Sequence, residues 1–318
     1  MSFLADFGEI VRENQPLAPL TYFGVGGPAR WMVSPRSVAE LAEVVRRCRQ
    51  EDVDVYVLGA GANLLVSDDG VDGVVIRLNA PAFRKVAWER DRDGLVAEGW
   101  AGADLDGVAV EIGAGLSMAR LTLDSVERGL AGLECMAGIP GSLGGIIRMN
   151  AGGRFGQISD VVSDVTVLDE TGQVRRLGHG EVGFTYRHTK LNGSIVVGAT
   201  LVLRPDDADR VKKRYEEIWD YKKRSQPLAD YSAGCIFKNP PNDSAGRLID
   251  QAGLKGHRIG GASVSEQHGN FIVASKGAQA RDVLSLIGTI RRTVAERFGV
   301  ELELEVQIWD RCGNGVPL

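Results

Sequence analysis

Two glycine-rich segments hold most of the chemistry this sequence can do. In the first, Gly59, Ala60, Gly61, Ala62, Asn63 and Leu64 follow a short apolar run. A turn of this composition aims backbone N–H groups at one point, which suits a diphosphate. It is not the βαβ dinucleotide fingerprint, because the third glycine would fall at Leu64 and no helical pattern follows. A tight structural turn is the competing reading. The second segment, residues 132–153, has seven glycines and one proline with apolar residues kept between them. A disordered linker would be polar. Backbone lying along a planar cofactor and its phosphates would have this composition, and so would a buried glycine-rich loop.

The isolated polar side chains are ambiguous when taken one at a time. Arg187, beside Phe184 and Tyr186, reads as a surface cation. Cys235 reads as a small buried hydrophobe. Glu301, Glu303 and Glu305 alternate with Leu302, Leu304 and Val306 along a closing strand. Three carboxylates on one strand face repel one another, so at least one must meet something other than water. Position alone does not separate Glu303 from Glu305. Lys222, Lys223 and Arg224, with Lys238, form either a solvated face or a means of neutralising a diphosphate. His179, His188, His257 and His268 show no ligand spacing, and the four cysteines lie far apart. Neither a metal site nor a disulfide framework is expected.

These residues need elements to hold them. Residues 37–50 read as a helix, with Ser37 and Glu40 as a capping box and Val38, Leu41, Val45 and Cys48 on one face. Strands 53–59 and 73–79 flank the glycine turn and complete a small βαβ-like lobe. Strand-like runs follow at 95–102, 164–177 and 194–204, with a helical segment around 105–112. A charged helix over 207–227 ends in proline, which places a boundary near Arg224. Beyond it come a strand-like AGCIFKNP, a helix SAGRLIDQAG, a strand NFIVA, a long helix closed by Gly299, and the alternating strand LELEVQIW.

At 318 residues, 44% of them hydrophobic, the chain is long enough for two or three domain cores. The net charge of -5 gives no pull toward nucleic acid, and no apolar run approaches the ~20 residues of a membrane span. The N-terminal segment lacks the cationic start of a signal peptide, and the unpaired cysteines suit a reducing compartment, so a cytoplasmic protein is expected.

The motifs TxFGVGGPAR, LGAGANLL, AGIPGSLGG, MNAG, FxYR, SAGCIFKNP and LxLEV occur in this order across nearly the whole chain. Together they resemble the UDP-N-acetylenolpyruvoylglucosamine reductases. The resemblance implies an α+β fold: a two-lobed FAD-binding domain of the vanillyl-alcohol-oxidase/PCMH type, plus a smaller C-terminal α/β substrate-binding domain. The lobes would span 1–87 and 88–223 and the substrate domain 224–304, with 305–318 returning to the FAD-binding region. FAD would contact residues 59–64 together with Gly138, Ile139, Pro140, Gly141 and Ser142, then Gly144 and Gly145, then Asn150, Ala151 and Gly152. Only RFGQ separates MNAGG from ISDVV, which resembles the shorter variety of the family, without an extra substrate-gating loop.

The implied reaction is NADPH-dependent reduction of UDP-N-acetylglucosamine enolpyruvate to UDP-N-acetylmuramate, for peptidoglycan. Hydride would leave flavin N5, with Arg187, Cys235 and Glu305 as the catalytic set. Tyr186, Arg187, Lys238, Asn239 and His268 would meet the substrate. Partners would be the UDP-sugar and NADPH, with no nucleic acid or membrane, and the chain would act as a monomer. The family carries serine as proton donor where this chain has Cys235. A thiol ionises near ~8.5, so activity is expected to fall as pH rises through that value. A flavin oxidase of the same fold and a non-catalytic nucleotide-sugar binder are the rival readings. The absence of histidine from the first 178 residues weakens the oxidase, which often tethers its flavin through one.

Overall fold

The computed structural model describes residues 3–89 and 107–311. The first sheet is built from β1 (Val11–Pro16), β2 (Pro28–Val33), β3 (Val55–Val57) and β5 (Val71–Ile76), in the order β1-β2-β5-β3. The strand between the last two in sequence, β4 (Leu64–Val66), lies outside it. Helix α1 (Val38–Gln50) buries Leu41, Val44, Val45 and Cys48, the face its periodicity predicts. Half of the expected capping box forms: Ser37 Oγ accepts from the Glu40 N–H at 3.2 Å. The Glu40 carboxylate instead takes the Arg36 N–H and guanidinium.

A second, antiparallel sheet has the order β12-β11-β13-β7-β6. It comprises β6 (Val86–Glu89), β7 (Val108–Gly113), β11 (Val162–Leu168), β12 (Val174–Gly178) and β13 (Ile195–Pro205), with the two-residue β8 (Leu130–Ala131) beside β13. The expected helix around 105–112 is therefore a strand over its described part. Val110 and Ile112 alternate inward, and this period of two decides the matter against helix. The strand expected at 95–102 lies outside the described residues. Helix α2 (Met118–Glu127), the short α3 (Leu143–Arg148) and the small hairpin β9 (Gly152–Gly153) and β10 (Gly156–Gln157) lie between these strands in sequence. One hydrophobic core runs from α1 through both sheets, so the two lobes share an interior.

After the single turn α4 (His179–Val182) and β13 comes α5 (Ala208–Ser225), then α6 (Ala245–Gln251). The three-stranded sheet β14 (Arg258–Ile259), β15 (Ala262–Val264) and β16 (Ile272–Ala274) follows, packed on α7 (Ala280–Phe298). Helix α7 buries Val283, Leu286, Ile287, Ile290 and Val294, each contributing about 1.5–3 kcal/mol. Gly299 ends it at φ 65°, in the left-handed region glycine tolerates.

Two expected strands are mostly absent. Among the described residues AGCIFKNP makes only isolated bridges, Cys235 to Phe271 and Phe237 to Leu304, with the chain bending at Gly234 (φ 77°) and Ile236. Of LELEVQIW only β17 (Gln307–Trp309) is a strand, and it pairs in parallel with β4. The alternation still holds, with Leu302 and Val306 buried and Glu301 and Glu303 exposed.

Candidate functional site

The turn from β3 to β4 forms one wall of a cavity of about 1350 Å³. Gly61 has φ 69°, and a Cβ there would stand 2.1 Å from the Leu20 carbonyl, so only glycine fits. A Cβ on Gly59 would meet Ser142 Oγ at 2.5 Å. The two glycine segments are therefore in contact, and 59–64, 138–142, Gly144, Gly145, Ala151 and Gly152 all line the same cavity. Asn63 reaches across, its Nδ2 donating to the Glu305 carbonyl at 3.1 Å while its own carbonyl accepts from Gln307 N.

Asn150 is buried and off the cavity wall. Its Nδ2 donates to Thr185 O (3.0 Å) and Gln157 Oε1 (3.2 Å), and its Oδ1 accepts from Ser159 N. It ties the glycine segment to the turn that carries Arg187.

Arg187 sits at φ 55°, a left-handed conformation uncommon for a side chain of this size. Its Nε donates to Glu305 Oε1 at 2.8 Å and its Nη2 to Gly152 O at 2.6 Å. The guanidinium also lies over the Tyr186 ring, 5.0 Å from the centroid. Both Nη1 hydrogens have no protein acceptor among the described residues. Arg187 and Glu305 side chains are 14% and 16% exposed, so neither charge is well hydrated. Burial pushes the Glu305 carboxyl up from its ordinary value, and the Arg187 charge and hydrogen bond only partly oppose the rise.

Cys235 reaches the same cavity from the third unit, held by its bridge to Phe271 and by Ile236 N donating to Asn270 O. Burial, reinforced by the Glu305 charge, pushes the thiol up to about 12, against the pull of Arg187 and an Asn270 hydrogen bond. It therefore stays protonated far above the ~8.5 expected from sequence.

Lys238 and Glu303 pair at 2.5 Å on the cavity wall. Tyr186 and Asn239 lie off that wall and meet each other, the Asn239 N–H donating to Tyr186 Oη at 3.4 Å. His268 also lies away from the cavity. Its ring packs on Phe271 at 4.8 Å, its Nδ1 accepts from Asn270 N, and burial lowers its basicity.

Several residues escaped the sequence reading. Ser232 Oγ is buried without a protein partner among the described residues, three positions before Cys235. Arg77, Arg84 and Arg148 line the cavity, and burial depresses Arg77 and Arg148. Lys222 is not on a solvated face: it is 6% exposed, its Nζ donating to Ala137 O at 2.6 Å and Cys135 O at 3.3 Å. Helical spacing was the available signal, since Val211, Tyr215, Ile218 and Lys222 share the inward stripe of α5.

The site suits FAD on two structural grounds. The glycines at 59 and 61 leave backbone where any Cβ would collide. The cavity also exceeds the roughly 300–1,000 Å³ of ordinary ligand pockets, giving room for a dinucleotide and a second ligand. Among the described residues no cluster of His, Cys, Asp and Glu is arranged for a metal, and no helix is long and apolar enough to cross a membrane.

Comparison with known proteins agrees. A family model described as "FAD binding domain" matches residues 29–178. Another, described as "UDP-N-acetylenolpyruvoylglucosamine reductase, C-terminal domain", matches residues 226–309. The UDP-N-acetylenolpyruvoylglucosamine reductase 2 of Symbiobacterium thermophilum is 43% identical, over 97% of this chain and 94% of its own length. The Bacillus licheniformis enzyme of that name is 39% identical, over 94% and 93%. The crystal structure of the Thermus caldophilus reductase superposes with a TM-score of 0.76 at 38% identity, covering 94% of this chain and 99% of that one.

Proposed function

The chain belongs to the UDP-N-acetylenolpyruvoylglucosamine reductase family, and from that premise we propose how its own residues divide the work. The family reaction is the reduction of UDP-N-acetylglucosamine enolpyruvate with NADPH and FAD, a step of peptidoglycan synthesis. Bound FAD supplies the hydride chemistry between NADPH and the enolpyruvyl ether.

The single observation that carries the assignment is convergence. Arg187, Glu305 and Cys235 come from three separate segments to one cavity wall, with Arg187 and Glu305 in contact. Reduction at the methylene carbon leaves negative charge next to the substrate carboxylate. Arg187 meets that charge with its free Nη1 hydrogens, a planar fork suited to a carboxylate. Glu305 holds Nε and so sets the direction of the fork. Its raised proton affinity also lets it share a hydrogen with the developing enolate. Cys235 gives its proton to the adjacent carbon and takes one back from water before the next turnover.

Lys238, next to Asn239, neutralises the substrate diphosphate once it turns from Glu303. Tyr186 braces Arg187 and Asn239, and His268 supports Phe271 from behind. Residues 59–64 and 138–152 hold FAD, while the unit beginning near Arg224 holds the UDP-sugar. The chain acts as a cytoplasmic monomer, a reading supported by its free cysteines and its nucleotide-sugar substrate.

An anaerobic titration tests the whole assignment. NADPH should bleach the flavin and the enolpyruvyl sugar should restore its colour. Bleaching that only oxygen reverses would return the protein to the oxidase reading.

A further inference from the structure

Residues Met136, Ala137, Gly138 and Ile139 form a hydrogen-bonded turn, with Ile139 N donating to Met136 O at 2.9 Å. Ala137 has φ -49° and ψ 127°, and Gly138 has φ 69°. These are the dihedrals of a type II turn. Type I closes the same four residues with the same hydrogen bond, and differs by a flip of the central peptide. A glycine at the third position permits both, so the turn alone does not choose.

The choice is made from outside the turn. Lys222 of α5, buried behind this segment, donates to the Ala137 carbonyl at 2.6 Å and to Cys135 O at 3.3 Å. The C=O and N–H of a trans peptide point in opposite directions. With the Ala137 carbonyl drawn back to Lys222, the Gly138 N–H faces the other way, and Gly138 is on the cavity wall. That N–H has no acceptor among the described residues. We infer that Lys222 is a positioning residue that holds this peptide in its type II orientation, keeping the Gly138 N–H aimed into the cleft as a donor for an electron-rich atom of the flavin. The ammonium also polarises the peptide it binds, strengthening the donor on the far side. The packing leaves little slack, since the Lys222 side chain would stand 3.2 Å from a Cβ at Gly138.

The inference rests on the flavin reading given above, and two contacts of α5 allow it to be tested separately. Arg214, on the same helix, pairs with Glu134 at 2.9 Å, beside the turn but without touching its carbonyls. Lys222→Met keeps the aliphatic stem and removes the donor. It should weaken FAD binding by about tenfold, the scale of one charge-assisted hydrogen bond. It should also shift the visible flavin spectrum and make the flavin midpoint potential more negative, because the lost donor favours the more electron-rich reduced form. Arg214→Met should lower the melting temperature yet leave spectrum and potential in place. If Lys222→Met does not fold, Gly138→Ala examines the same peptide, since its Cβ disfavours φ 69°, and it should shift the spectrum in the same direction. A Lys222→Met holoprotein with wild-type FAD affinity, spectrum and potential overturns the inference. So does an Arg214→Met protein that changes them equally. A wild-type chain that takes up no FAD would instead overturn the flavin reading itself.

Discussion

Arg187 Nε lies 2.8 Å from Glu305 Oε1, joining a turn of the second lobe to the segment that leads into β17. A part-buried charged hydrogen bond of this kind contributes about 1.5–3 kcal/mol, and each partner limits the cost of burying the other.

Arg187→Lys keeps the positive charge and loses the planar fork. It should slow reoxidation of the reduced flavin by the enolpyruvyl sugar by about 10²-fold, the scale of one oxyanion donor. Bleaching by NADPH should change far less. Stopped-flow traces with equal losses in both halves, and FAD still bound, would remove Arg187 from the chemistry.

The neighbouring glutamates should separate cleanly. Glu305→Gln should slow the substrate half-reaction by roughly 10²-fold or more. Among the described residues the Glu303 side chain, 72% exposed, pairs with Lys238 alone, so Glu303→Gln should cost at most about 1 kcal/mol in substrate binding and nothing in the flavin step. A damaging Glu303→Gln beside a mild Glu305→Gln would reverse the assignment.

Cys235→Ser should retain most activity, whereas Cys235→Ala should still bleach with NADPH and fail to turn over. A donor acts while it holds its proton, and a thiol raised to about 12 loses it only as pH climbs toward that value. The alkaline profiles of wild type and Cys235→Ser should therefore superimpose for as long as the protein stays folded. A wild-type decline near ~8.5, missing from the serine form, would show an ordinary solvated thiol.

Asp68, just after β4, accepts from Ala280 N at 2.8 Å and Arg281 N at 3.0 Å, capping α7 from another unit. Asp68→Ala should lower stability to urea by about 1 kcal/mol, and Asp68→Asn should restore only part of it, since the amide keeps one acceptor oxygen where the carboxylate uses both. Equal loss in both variants would point to charge rather than capping.

Periodicity made the long elements legible. Helix α7, the inward face of α1 and the strand character of β11 and β13 follow from spacing alone. Helix α3 did not, because Gly144 and Gly145 are poor helix formers and its short span depends on close packing against Ala114 and Val196. The three-residue β4 reads as the end of a turn, since its partner lies at the far end of the sequence. At the site, composition marked both glycine segments, but only the ordered motifs singled out Arg187 and Glu305. The half-burial of Cys235 comes from neighbours distant in sequence, which no local pattern carries, whereas the inward stripe of α5 could have marked Lys222.

The pairing of β4 with β17 also orders events during synthesis. Asn63, at the rim of the glycine turn, is bonded to a carbonyl 242 residues later. Trp309 packs on Tyr56 at 5.0 Å within the first lobe's own core. A lobe whose residues leave the ribosome early thus stays open on one flank until residues 305–309 emerge. Contacts this distant in sequence form late and slowly. Apoprotein caught on the ribosome should therefore bind flavin poorly however much of its first two lobes has been made.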